Sequence, residues 1–157
     1  MARTETYIAA SPERVFAVLS EPRSYGYWVP GSREIRAADR AWPAEGTAFE
    51  HSVGAPGLAL ADYTSVTASL PPVMLELRAR ARPLGSADIV LHLQPEGDGT
   101  RVTMIEDPAS AAVNVLIGPL GHGLLKLRNL EALRRLRRLA EGEQPLPAGD
   151  LPERDRG

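Results

Sequence analysis

The sequence predicts an α+β domain in which a curved antiparallel sheet of about seven strands wraps around a long C-terminal helix. Three observations predict it. Between Met74 and Arg82, Leu75, Leu77, Ala79 and Ala81 alternate with Glu76, Arg78, Arg80 and Arg82, so one face of this strand is buried and the other wet. Pro95-Glu96-Gly97-Asp98-Gly99 forms a hairpin turn between two further alternating runs. From Leu124 onward, Leu127, Leu130, Leu133, Leu136 and Leu139 recur with Arg and Glu between them, which reads as a helix.

The other elements follow in order. Arg3 to Ala9 is a first strand, where Thr, Tyr and Ile suit a pleated surface. Ser11-Pro12-Glu13-Arg14 is a helix start: the Ser11 hydroxyl can accept from a free backbone N–H, and Pro12 suits the first helical position. Val15, Phe16, Val18 and Leu19 make the buried stripe of that helix. Pro22 interrupts it, and a short second helix runs from Pro22 to Trp28, stopped by Pro30-Gly31. Strands are then expected at Arg33 to Ala38, Thr47 to Val53 and Leu60 to Leu70, with a turn at Pro43-Ala44-Glu45-Gly46 and a loop at Gly54-Ala55-Pro56-Gly57. Pro71-Pro72 makes a stiff turn into the strand that ends at Arg82. Ala87 to Gln94 presents Ile89, Leu91 and Leu93 to one side, and Arg101 to Glu106 returns with Val102 and Met104 inward. Val113 to Ile117 is apolar and ambiguous, and Gly118-Pro119 and Gly121-His122-Gly123 weaken a helix there, so the segment from Val113 to His122 reads as helix, lid or both. Gly142 suits a helix C-cap. Residues 1–142 thus form the domain, and 143–157 read as a frayed polar tail.

Bulk properties narrow the function classes. The chain has 157 residues, 43% hydrophobic and 24% charged, a composition that argues against disorder. The net charge of -2 favours neither nucleic acid nor an anionic membrane. There is no cysteine, which removes disulfides, thiolate zinc sites and a thiol nucleophile. No apolar run reaches the ~20 residues of a membrane span, and the N-terminus lacks a secretory signal, so a cytoplasmic location is expected. Phosphate-binding glycine loops and a GxSxG nucleophile elbow are both absent.

The element order and three segments resemble the START-like superfamily, in particular its bacterial polyketide cyclase/dehydrase and lipid-transport branch. The segments are Ser11 to Leu19, Tyr25-Gly26-Tyr27-Trp28-Val29-Pro30-Gly31, and Asn129-Leu130 through Ala140-Glu141. The resemblance spans roughly Arg3 to Gly142 and implies a helix-grip fold with a pocket between the concave sheet face and the C-terminal helix. It marks the fold better than the activity, since these are mostly packing and capping residues.

Candidate site residues come from face and position. His51 shares its strand face with Phe49 and can bind or protonate a carbonyl, or sit as a satisfied core histidine. Glu106 continues the inward set Val102 and Met104, and a buried carboxylate needs a partner. These two are the catalytic candidates. Tyr63 offers a phenolic hydroxyl to a ligand, or packs within the sheet. Trp28 borders the entrance that the resemblance implies. Leu77, Ala79, Leu91 and Met104 are expected to line the sheet side of the pocket, and Leu120, Leu124 and Leu127 the helix side. The small Ala79 and Ala81, with Gly121 and Gly123, leave space there. His51, His92 and His122 lack ligand spacing, so no metal and no cofactor are expected. His92 falls on the wet face. Arg134-Arg135 and Arg137-Arg138 lie on the outer side of the helix and imply no nucleic-acid partner.

Three readings follow. The first is binding or carriage of a small hydrophobic or aromatic ligand, such as a lipid, isoprenoid or polyketide-like molecule. The second is a polyketide cyclase, aromatase or dehydratase using acid–base residues in the same pocket. The third is a protein-interaction domain without a ligand. Nothing in the sequence sets the oligomeric state.

Overall fold

Backbone capping and strand alternation together build a sheet that grips one helix. The computed structural model describes residues 1–53, 60–81, 85–108, 111–147 and 149–156, with backbone alone for 53, 60, 81 and 111–119. The expected Gly54-Ala55-Pro56-Gly57 loop, Arg82 and the orientations of Val53 and Ala81 lie outside the described residues or atoms. The elements run β1 (Ala2–Ile8), α1 (Pro12–Leu19), a 3-10 turn (Pro22–Ser24), α2 (Tyr25–Trp28), β2 (Ser32–Ala38), β3 (Ala48–Val53), β4 (Leu60–Leu70), β5 (Met74–Ala81), β6 (Gly85–Glu96), β7 (Gly99–Pro108) and α3 (Ala111–Ala140). The sheet is fully antiparallel, in the order β1-β7-β6-β5-β4-β3-β2.

Local chemistry explains the joints. Ser11 Oγ accepts from the Arg14 N–H at 3.1 Å, and Pro12 occupies the first turn of α1. The Arg14 guanidinium reaches the carbonyls of Leu139 and Ala140 at 3.4 Å, and Glu141 Oε1 accepts from the Ala9 N–H at 2.8 Å. The start of α1 is thereby tied to the end of α3. Gly142 leaves the helix at φ +78, the left-handed conformation that glycine adopts without a steric penalty. Ile8, Val15, Leu19, Leu75, Leu91 and Val102 pack with Leu133, Leu136 and Leu139 at this end, all essentially inaccessible.

The segment from Val113 to His122, which the sequence leaves open between helix and lid, is helical: α3 runs unbroken from Ala111 through Gly118, Pro119, Gly121 and Gly123. Glycine costs about 1 kcal/mol and proline about 3 kcal/mol of intrinsic helix preference. Extending an existing helix, however, gains a hydrogen bond per residue without a new nucleation step. At 1.5 Å per residue α3 is about 45 Å long. The tail after Gly142, read from the sequence as frayed, is bonded to the domain through several of its described residues. Arg23 donates to the carbonyls of Gly149 and Asp150 at 2.8 and 2.7 Å. The Ala38 N–H donates to Pro152 O, and the Arg154 N–H donates to Ala38 O. The tail therefore covers part of the β2 edge, which otherwise presents open backbone groups. Its two arginines, Arg154 and Arg156, face the buried Asp39 carboxylate at 3.5 and 3.2 Å. Burial pushes the Asp39 carboxyl up, but the Ala48 N–H and the two guanidinium groups outweigh it and hold it below its usual range.

Candidate functional site

Packing loosens toward the middle of α3. The inward positions there are Ala79 on β5, opposite Thr64 of β4 and Ala87 of β6, and Ala132 on α3. These short side chains leave a cavity of about 290 Å³ between the sheet and the helix. That volume is at the lower end of small-molecule sites. Its apolar wall includes Trp28, Phe49, Leu77, Ala79, Ile89 and Met104.

One end of the wall is aromatic. Tyr25 contacts Trp28, Trp42 and Phe49 at centroid distances of 4.9, 5.5 and 4.8 Å, and Phe49 meets His51 edge-on at 5.2 Å. Tyr25 OH and Trp42 Nε1 both donate to the Leu19 carbonyl, which fixes the rings. Desolvation raises the Tyr25 phenol well above its ordinary pKa, so it stays protonated. Gly26 lets α2 pack down onto β2: a Cβ there would stand 2.6 Å from Arg33 O. This close approach holds Trp28 at the cavity.

Polar groups are few. His51, 6% exposed, lies between two hydroxyls: Ser32 Oγ is 3.0 Å from Nδ1 and Thr64 Oγ1 is 3.4 Å from Nε2. Burial lowers its pKa to about 4, against the pull of the Asp62 carboxylate, with Arg36 adding to the depression. The ring is neutral at pH 7, hydrogen-bonded on both sides, and a weak base. Glu106, 4% exposed, has the half-exposed Arg128 guanidinium at 3.4 Å. Asn129, 2% exposed, and Trp28 also line the cavity, and their Nδ2 and Nε1 atoms are buried without a hydrogen-bond partner.

The structure brings Trp28, Phe49, His51, Leu77, Ala79, Met104 and Glu106 together at this cavity. It does not bring Tyr63, Leu91, Leu120, Leu124 or Leu127 there. Tyr63 falls on the outer face of β4, between inward Asp62 and Thr64, where the Arg80 guanidinium lies 5.1 Å from its ring centre. Leu91 is buried in the packed core beyond the cavity. Leu120, Leu124 and Leu127 point outward, Leu120 being 81% exposed, and with Leu130 they line a surface groove on the far side of α3. The reason is helical phase. Each residue advances about 100°, so leucines at spacing three fall about 60° behind at every step and wind around the helix. Leu133, Leu136 and Leu139 reach the core because they occupy the inward arc.

His92 and His122 are exposed. Arg78, from the outer stripe, forks onto Asp88 at 2.7 and 3.1 Å. Among the described residues no group of three His, Cys, Asp or Glu is placed to hold a metal ion, and no helix is long and apolar enough to cross a membrane. Sequence reasoning missed Ser32, Thr64, Arg128 and Asn129. Asn129 had a usable signal: it shares the inward arc with Ala132, Leu133 and Leu136 at spacings three, four and seven.

Comparison with known proteins agrees with this architecture. A solved protein of Rhodobacter sphaeroides matches with a TM-score of 0.71 at 20% identity, over 90% of this chain and 92% of its own. One of Chromobacterium violaceum matches with a TM-score of 0.68 at 19% identity, over 89% and 96%. The di-domain ARO/CYC StfQ from the steffimycin biosynthetic pathway matches with a TM-score of 0.68 at 14% identity, over 90% of this chain and 50% of that one. At these low identities the structural overlap shows a shared fold. No curated protein matches the sequence. The family model described as "Polyketide cyclase / dehydrase and lipid transport" matches residues 2–141, and the chain belongs to that family.

Proposed function

We propose that this protein binds or carries a small hydrophobic or aromatic ligand in the cavity between the sheet and α3. The observation that carries the reading is the cavity itself: about 290 Å³, walled by aliphatic and aromatic side chains, with a handful of polar groups. Membership of a family named for polyketide cyclisation and lipid transport supports this ligand class. Burying about 150–200 Å² of ligand surface is worth about 4–5 kcal/mol. Apolar contact alone therefore gives weak binding, and the polar groups must supply orientation and selectivity.

A second reading is acid–base catalysis on a polyketide-like chain. Its support is Glu106, a nearly inaccessible carboxylate on the cavity wall. His51 argues the other way, because a pKa of about 4 makes it a poor base at neutral pH. Binding therefore stands first.

Native mass spectrometry of the protein purified under gentle conditions tests the reading. The expected result is a mass excess of a small molecule that is released on denaturation and partitions into organic solvent. A bare protein mass, together with no rise in melting temperature against a panel of one- and two-ring apolar compounds, would refute it.

A further inference from the structure

The outer arc of α3 carries apolar side chains that neither the core nor the cavity uses. Leu120, Leu124, Leu127 and Leu130 are between 44 and 81% exposed, and they line a groove with Gly123 and Lys126, all from this one helix. At about 100° per residue, Leu120, Leu124 and Leu127 fall within about 60° of arc, with Lys126 on one flank and Arg128 on the other. Single exposed leucines are ordinary, but neighbouring ones on one arc mark a docking surface for a protein or a membrane. Charge and size decide between these. α3 holds one lysine, five arginines and one glutamate, although the whole chain has a net charge of -2. That glutamate, Glu131, lies past Leu130 and faces Arg134 and Arg135 at 3.0 and 2.8 Å. From Leu120 to Leu130 the helix therefore carries two cations and no acid. Arg128 faces the buried Glu106, whereas among the described residues Lys126 faces no carboxylate.

We propose that the outer face of α3 from Leu120 to Leu130 docks onto an anionic lipid bilayer, with the helix lying along the membrane surface. The inference goes beyond the binding reading above and does not depend on it. No helix among the described residues is long and apolar enough to cross a bilayer, so α3 lies on the membrane rather than in it. Leucines enter the boundary between headgroups and acyl chains without needing a shaped partner, and cations on either flank reach the lipid phosphates. A second copy of the chain fits poorly. Pairing this arc with itself about a two-fold axis brings Lys126 beside its own copy. The groove is lined by six residues, far short of the about 20–30 residues a side of a stable interface.

Vesicle co-sedimentation tests this, with vesicles of phosphatidylcholine alone and of phosphatidylcholine with about one-third phosphatidylglycerol. A lipid taken into the cavity stays in solution with the protein, so the sedimented fraction reads docking. The full chain is compared with Leu124→Ser, with Lys126→Glu and with a remote control, Leu70→Ser at the exposed end of β4. Melting curves confirm that each variant folds. The unaltered protein is expected to partition onto the anionic vesicles about tenfold more strongly than onto the neutral ones, and to be released by added salt. Leu124→Ser is expected to lower that partition coefficient at least about tenfold. Lys126→Glu is expected to lower it about tenfold, and Leu70→Ser to leave it unchanged. Absence of the unaltered protein from both vesicle pellets overturns the proposal. So does undiminished binding of Leu124→Ser or Lys126→Glu, or a loss in Leu70→Ser as large as that in Leu124→Ser. A dimer in solution that Leu124→Ser dissociates, with no vesicle binding, gives the groove to a second copy and overturns it as well.

Discussion

His51 stands between Ser32 and Thr64 in a setting that favours the neutral ring. Its proton is held less tightly in the folded protein, with a pKa of about 4, than in the unfolded chain, where the ordinary value is 6.5. Between those values the unfolded state binds more protons, so stability rises with pH through the window. The contribution is fully present above about pH 6.5 and is lost as pH falls toward about 4. Its upper size is about 3 kcal/mol. Urea unfolding across this range is expected to show the slope in the unaltered protein and to lose it in His51→Gln. An equal slope in both would show that the imidazole does not carry it. Residue-scale reading of the sequence placed His51 and Glu106 inward because strand alternation is strict. It assigned Tyr63 a ligand role without fixing which face of β4 it occupies. It passed over Thr64 and Ser32, whose hydroxyls gain meaning only once His51 is beside them.

At the scale of elements, α3 was the hardest to read. A leucine every third residue looks like one stripe on paper but turns around a helix with 3.6 residues per turn. The buried arc combines Asn129, Ala132, Leu133, Leu136, Leu139 and Ala140, and the outer arc carries Leu120, Leu124, Leu127 and Leu130. Stability therefore distinguishes leucines that the sequence makes equivalent. Leu136→Ala is expected to cost about 2–5 kcal/mol in urea unfolding, because it opens a cavity in packed core. Leu124→Ala is expected to change stability by no more than about 0.5 kcal/mol, since its side chain is mostly in water. Comparable losses would contradict this phase. The β-elements were more legible: β5, β6 and β7 alternate plainly, and Gly97, with φ +55, turns the β6–β7 hairpin as its local sequence implies. The tail was not legible, since its docking depends on Asp39, Arg23 and the β2 edge, all remote in sequence.

At the scale of the molecule, two ends of one helix do different work. The C-terminal half of α3 closes the core with Leu133, Leu136 and Leu139. Farther back along it, Ala132, Asn129 and Arg128 face the cavity. The grip of sheet on helix followed from pattern alone, and the resemblance implied a pocket. The pocket's size and polarity did not follow, because they depend on which short side chains meet across three strands and a helix. Ala79, at the centre of that meeting, gives the most direct test of the central claim that the cavity is the ligand site. Ala79→Leu adds a branched side chain into the open volume. The account predicts a folded protein whose melting temperature is kept or raised, since a filled cavity restores contacts, and whose affinity for the tightest-binding compound of the one- and two-ring apolar panel falls at least about tenfold. A fully folded Ala79→Leu protein that binds this compound as tightly as the unaltered chain would contradict it.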